Sequence, residues 1–194
     1  MERIAVLDTT LRDGAQREGI SFSVTDKLRI ARRLDELGLA YIEGGWPGSN
    51  PKDEAFFERV QRLNLQNARI AAFASTRRAG SAVEDDASVR AVLGSGAPVA
   101  VVVGKSSTMH VERVLRTDAA ENLAMIRDTV AYLVAQGLEV LFDAEHFFDG
   151  YVLDPDYALE TCRVAAEAGA TCLVLCDTNG GMLPSAVGRI VGEV

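Results

Sequence analysis

Along the chain, short apolar runs alternate with longer stretches whose apolar positions recur every three or four residues. The runs are residues 4–7 (IAVL), 40–42 (AYI), 70–74 (IAAFA), 99–103 (VAVVV), 140–142 (VLF) and 172–176 (CLVLC). Each is too short for a helix and most are rich in β-branched residues, which predicts buried strands. The stretches between them predict helices. Thr25 or Asp26 can cap a helix carrying Leu28, Ala31, Leu34 and Leu37 on one face, with Gly38 placed to stop it. Pro51 and Asp53 open a second helix with Phe56, Phe57, Val60 and Leu63, and a weaker one runs through residues 89–93. The longest begins near Asp118, carries Leu123, Ile126, Val130 and Leu133, and ends at Gly137. Another opens near Pro155 and ends at Gly169, and the last follows Pro184.

A strand followed by a helix, repeated along the chain, implies a parallel sheet with helices outside it. Each unit takes about 32 residues, so eight would need about 259, close to the ~250 of a closed barrel. No G-x-G-x-x-G follows Leu7, as a dinucleotide-binding open sheet would require. The expected fold is therefore α/β, a (β/α)8 TIM barrel that is incomplete here: about six units, with strands seven and eight absent. Residues 1–194 would form the N-terminal part of a catalytic TIM-barrel domain. An open six-stranded sheet is the alternative. In a partial barrel the first and sixth strands leave unpaired backbone edges, a hazard that proteins normally cover. The chain is then a fragment, or a partner covers the gap.

Composition narrows the function classes. The 194 residues are 48% hydrophobic and 25% charged, which fits a soluble globular protein and excludes disorder, collagen and disulfide-stapled mini-proteins. No apolar run is long enough to span a bilayer. A net charge of −8 without a basic block argues against nucleic acid and anionic membranes as partners. The odd set of cysteines, Cys162, Cys172 and Cys176, and a first strand starting almost at Met1 predict free thiols in a reducing cytoplasm. Cys172 and Cys176 are expected to be small buried hydrophobes rather than a metal pair.

Polar residues collect where the apolar runs end. Asp8, Thr9, Arg12 and Asp13 follow the first run, Glu43 the second, Ser75 to Arg77 the third, and Lys105 to Ser107 the fourth. Asp143, Glu145 and His146 follow the fifth, and Asp177, Thr178 and Asn179 the sixth. The carboxyl edge of such a sheet is where ligands bind in barrels and open sheets alike. So many carboxylates at one mouth cannot all stay ionised and unpaired. A divalent cation (Mg, Mn or Zn) together with Arg12 would relieve them, and Arg12 there could stabilise a developing oxyanion. Equally, any one of these acids can be a mere helix cap. His146 is assigned to the site and His110 to solvent. Phe147, Phe148 and Tyr151 are expected to pack, and Trp46 either packs or walls a pocket.

The segment LDTTLRDGAQREG (Leu7 to Gly19) resembles the opening of the metal-dependent Claisen-condensing barrels, the isopropylmalate, homocitrate and citramalate synthases, to which hydroxymethylglutaryl-CoA lyase is related. IEGGWPGSNPKD, FASTRRAG, GKSS, DAEHFFDGY and LVLCDTNGG continue the resemblance over essentially the whole chain, and GGWPGSNPKD and DAEHFFDGY look most like the bacterial citramalate synthase branch. The resemblance implies an acyltransferase joining acetyl-CoA to a 2-keto acid, pyruvate in that branch, with a divalent metal and a homo-oligomeric full-length parent. It assigns Asp13 as metal ligand, Arg12 as the group that polarises the keto oxygen, and Glu145 as the acid that helps deprotonate the acetyl methyl. Glu43 lies near that site, Thr178 holds the keto acid's carboxylate, and Gln16 lines the pocket. Arg77, Arg78 or Lys105 would meet the CoA phosphates. The family's further metal ligands come from a His-x-His motif, which this sequence lacks. The chain alone is therefore expected to be inactive. Two alternatives stand beside this reading: an aldolase or lyase on the same scaffold, and a non-catalytic fragment that pairs its open edges with another chain.

Overall fold

A computed structural model describes residues 4–194. The element order is β1 (Leu7–Asp8), α1 (Val24–Glu36), β2 (Tyr41–Gly45), α2 (Pro51–Val60), β3 (Arg69–Ser75), α3 (Ala87–Gly94) and β4 (Val99–Lys105). Then come α4 (Thr108–His110, continuing as a π-helical turn over Val111–Leu115), α5 (Ala119–Ala135), β5 (Glu139–Glu145), α6 (Phe147–Leu153), α7 (Pro155–Glu167), β6 (Cys172–Leu175) and α8 (Pro184–Glu193).

The six strands are all parallel and lie in the order β1-β2-β3-β4-β5-β6. That order decides between the two expected folds. A doubly wound sheet reverses direction at a switch point; here every crossover steps one strand the same way. Right-handed crossovers then place all helices on one face, and the sheet curls around the other. The result is six strands of a barrel wall, with β1 and β6 paired on one side only among the described residues.

The strand period of two separates the faces. Ile70, Ala72, Ala74, Ala100, Val102, Val140, Phe142 and Ala144 point outward into a core shared with the helices, where Phe56, Phe57, Ile126, Leu133 and Phe147 are fully buried. Ala71, Phe73, Val99, Val101 and Leu141 point inward and form a second, smaller cluster with Leu7, Tyr41, Trp46 and Val103. Trp46 packs edge-on against Phe73, with ring centroids 5.2 Å apart.

Helix ends follow local chemistry, with some displacement from expectation. Ser23, not Thr25 or Asp26, caps α1: its Oγ accepts from the Asp26 N–H (3.1 Å) while Asp26 Oδ2 accepts from the Ser23 N–H (3.0 Å). Leu37 falls just past the helix and is 76% exposed, because Gly38 takes the left-handed conformation (φ 81°) that turns the chain away. Asn50, Asp118 and Asp154 cap α2, α5 and α7 through their side chains. The helices α4 and α6 are not foreseen from the periodicity, being too short to show one. A Cβ on Gly150 in α6 would run into the Ser106 carbonyl oxygen, so this glycine lets α6 lie against the end of β4.

The edges depart most from expectation. The ladder of β1 covers only Leu7–Asp8; Ile4 is 87% exposed, although Val6 still accepts backbone bonds from Ala40 and Tyr41. Cys172 is exposed and Cys176 half-buried, contrary to their expected burial. Cys172 opens the edge strand β6 opposite the inward-facing Leu141, and Cys176, just past its end, lines the open cavity, whereas Cys162 of α7 is buried in the outer core.

Candidate active site

At the carboxyl ends of the strands a cavity of about 410 Å³ opens on the inner face. Arg12, Asp13, Glu43, Glu145 and Thr178 all line it. The five come from the ends of β1, β2, β5 and β6, and parallel strands brought into one order necessarily present those ends on one rim.

Arg12 is the organising group. The turn after β1 is closed by the Arg12 N–H donating to the Thr9 carbonyl (3.1 Å), and the guanidinium lies over the Phe73 ring, 3.9 Å from its centroid. Its Nε donates to Glu43 Oε2 at 2.8 Å and a terminal nitrogen to Asp13 Oδ1 at 3.2 Å. Glu43 is wholly buried, and its other carboxylate oxygen, Oε1, has no hydrogen-bond partner among the described residues. Burial pushes its carboxyl up to about 7; the Arg12 charge and hydrogen bond oppose the rise, and Asp143 and Asp13 add to it. Asp143, also inward-facing, is raised by burial as well, against a hydrogen bond from Cys176 Sγ to its Oδ1 (2.6 Å) and the charge of Arg12. Burial, Asp143 and Glu145 together push the Cys176 thiol far above its ordinary value. Burial and mutual repulsion thus make Glu43 and Asp143 harder to ionise, and Arg12 opposes that for both.

On the far side of the cavity, the register pairs Lys105 of β4 with Glu145 of β5, and the two side chains form an ion pair. His146 follows in a left-handed conformation (φ 56°), and its backbone N–H donates to Thr178 Oγ1 at 2.8 Å. His110 is not solvated as expected. Its ring lies on that of His146 (centroids 3.9 Å apart), its Nδ1 is buried without a partner among the described residues, and burial, with His146 and Lys105 nearby, depresses its pKa.

Other candidates lie elsewhere. Gln16 is exposed and lines a neighbouring recess of about 330 Å³ on the other side of Arg12, with Trp46, Asn50 and Lys52, not the main cavity. Arg77 is taken up by Glu121 and Asp128, each at 2.7 Å, and Lys105 by Glu145. Neither is a free cation for a phosphate, while Arg78 remains exposed. Asp8 and Asp177 spend carboxylate oxygens on local turns, accepting from Thr10 and Met182. Sequence reasoning passed over two partners: Asp149, which bonds both His146 and Asn179, and the direct Lys105–Glu145 pairing. Lys105 and Glu145 each stand six residues after the first residue of their strand, Val99 and Glu139, and that equal offset carries the signal for the second.

The donors do not complete a metal centre. Among the described residues no three His, Cys, Asp or Glu side chains are grouped to hold an ion, and Asp13 offers one carboxylate already bonded to Arg12.

Residues 3–194 match the HMGL-like family model. The chain is 58% identical over 187 residues to (R)-citramalate synthase of Synechocystis sp., covering 96% of this chain and 34% of that protein. It is 56% identical to (R)-citramalate synthase of Streptomyces coelicolor, covering 97% of this chain and 36% of that protein. The chain therefore spans about a third of the length of these curated relatives. Among solved structures, the HMG-CoA lyase of Bacillus subtilis superposes with a TM-score of 0.80 at 18% identity, over 98% of this chain and 63% of that one, a likeness of fold. A six-strand barrel wall bearing this rim, matched along nearly its whole length, places the chain in the HMGL-like family.

Proposed function

We propose that this chain is the N-terminal part of the catalytic barrel of a cytoplasmic, homo-oligomeric acyltransferase. The enzyme would condense acetyl-CoA with a 2-keto acid, pyruvate giving citramalate, converting the acyl group to an alkyl group on transfer. The observation that carries the reading is the convergence of Arg12, Glu145 and Thr178 on one cavity, with no other role visible for the three together. The identity to two (R)-citramalate synthases supports the choice of substrates.

The chemistry follows from the groups present. Acetyl-CoA must lose a weakly acidic methyl proton, and Glu145, oriented by Lys105, is the base at the rim. The resulting carbanion forms a bond to the keto carbon, and the carbonyl electron pair moves to oxygen. The Arg12 guanidinium, steadied by Glu43 and Phe73, meets the alkoxide, which then takes a proton from water, while Glu145 gives up to solvent the proton it removed from the methyl. The Thr178 hydroxyl donates to the keto acid's carboxylate. Water finally hydrolyses the thioester, releasing the CoA thiol. A divalent ion (Mg, Mn or Zn), with Asp13 as one ligand, would need donors beyond those described here.

The test is thiol release by the full-length polypeptide containing this segment, with acetyl-CoA and pyruvate or longer 2-keto acids. Glu145→Gln should lower kcat by at least about a hundredfold. Thiol release only from a hydroxyacyl-CoA, with none from acetyl-CoA, would overturn the reading in favour of a lyase.

A further inference from the structure

We infer that Asp149 is a positioning residue for Thr178, setting the direction in which its hydroxyl proton points and so the affinity for the keto acid's carboxylate. The inference rests on the condensation reading above and deepens it.

Thr178 Oγ1 accepts a hydrogen bond from the His146 backbone N–H, at 2.8 Å. A hydroxyl that accepts on one side has its own proton left to donate. Among the described residues no protein acceptor takes that proton, and Thr178 lines the cavity. Thr178 is exposed at that cavity, so the proton is open to solvent or to a ligand that displaces it, and it suits an anionic oxygen. The arrangement requires that the His146 N–H face Thr178, which it does because His146 stands at φ 56°. A non-glycine residue in that region costs roughly 1 kcal/mol or more, so something must hold it there.

Asp149 is placed to do so. Its Oδ2 lies 3.1 Å from His146 Nδ1 and accepts from Asn179 Nδ2 at 2.6 Å. One carboxylate oxygen therefore ties the residue that donates to Thr178 to the residue that follows Thr178. The bracket closes around the 2.8 Å bond from both sides. From above, the His110 ring covers His146. From below, Gly150 lets α6, which carries Asp149, seat on the end of β4.

The experiment compares wild type, Asp149→Ala, Asp149→Asn, Thr178→Val and the double variant Asp149→Ala/Thr178→Val of the full-length polypeptide. Thiol release is followed against pyruvate and against acetyl-CoA. The expected result for Asp149→Ala is a rise in KM for pyruvate of about tenfold, the value of one lost hydrogen bond to an anion. The KM for acetyl-CoA should stay within about twofold. Asp149→Asn, which keeps one oxygen to accept from Asn179, should show a smaller rise. In the Thr178→Val background, Asp149→Ala should add nothing, since it acts through the hydroxyl. A pyruvate KM unmoved by Asp149→Ala, or moved equally with and without Thr178, would overturn the inference. Amide hydrogen exchange supplies an arm independent of activity. Asp149→Ala should speed exchange at His146 while the β4 and β5 amides keep their protection; unchanged exchange at His146 would also overturn it. If the wild type releases no thiol with any 2-keto acid, the condensation reading fails, and the exchange result still decides what Asp149 holds in place.

Discussion

Replacing Glu43 by Gln tests the electrostatics at the centre of the cavity. In the folded chain the Glu43 carboxyl titrates at about 7, against an ordinary value of 4.5, because burial disfavours its charge more than Arg12 favours it. The sign follows from linkage. A carboxyl raised in the folded state binds its proton more tightly there than in the unfolded chain. Folding is therefore unpenalised below 4.5, weakens as pH climbs, and carries the whole cost above 7. The gap corresponds to about 3 kcal/mol, and full burial of the side chain leaves no solvent to screen it. Gln keeps the shape and an oxygen for the Arg12 Nε but has no proton to lose. Urea denaturation of the chain at pH 4.5 and pH 8 should find the two proteins within about 1 kcal/mol at the acid end. At pH 8, Glu43→Gln should be the more stable by about 3 kcal/mol. Other titrating groups contribute to both curves alike, so only the difference between them matters. If the two pH profiles run parallel, the buried carboxyl is not in the environment described, and the picture of Arg12 as an insufficient counter-charge is wrong.

Three further outcomes are expected. Asp35, although buried, is held below the usual carboxylate range because the backbone N–H groups of Gln66, Asn67 and Ala68 donate to it. Asp35→Ala should then cost about 3 kcal/mol at pH 7, and denaturation curves should show this loss shrinking as pH falls and the wild-type carboxylate takes up its proton. Phe142→Ala empties a fully buried position of the outer core and should cost about 4 kcal/mol by the same measurement, whereas a loss under about 1 kcal/mol would mean that position is not packed. The 194-residue chain supplied with Mg, Mn or Zn, acetyl-CoA and pyruvate should release no thiol above background, because among the described residues no three donors are grouped for an ion; turnover would contradict that grouping.

Much of the architecture is legible in the sequence because it is local. The apolar runs and the helical spacing mark every strand and the longer helices, and Gly38, Gly137 and Gly169 mark their ends by adopting positive φ. The rim is legible too, since polar residues at successive strand ends must share one edge once the strands are parallel. The LRDGAQ and DTNGG segments point to Arg12, Asp13 and Thr178, and all three line the cavity. The sequence could not say which way the strands are ordered, because a barrel wall and an open sheet use the same strand–helix unit. That is settled by which neighbour each strand meets, a long-range choice.

The same distinction runs through the site. Residue types and their offsets from strand ends name the candidates, but protonation and pairing depend on what lies across the cavity. Glu43 and Asp143 read alike as acids at the end of an apolar run; only burial and the neighbouring charges set how readily each ionises. Lys105 reads as a free cation until the register sets it beside Glu145, and His110 reads as solvated until α4 lays it on His146. Gln16 shares a motif with Arg12, yet the turn after β1 sends it to the next recess. Periodicity, capping and turn chemistry act over a few residues, so the chain carries them in its order. Charge, burial and hydrogen-bond pairing act through space, and they exist only once the strands have met.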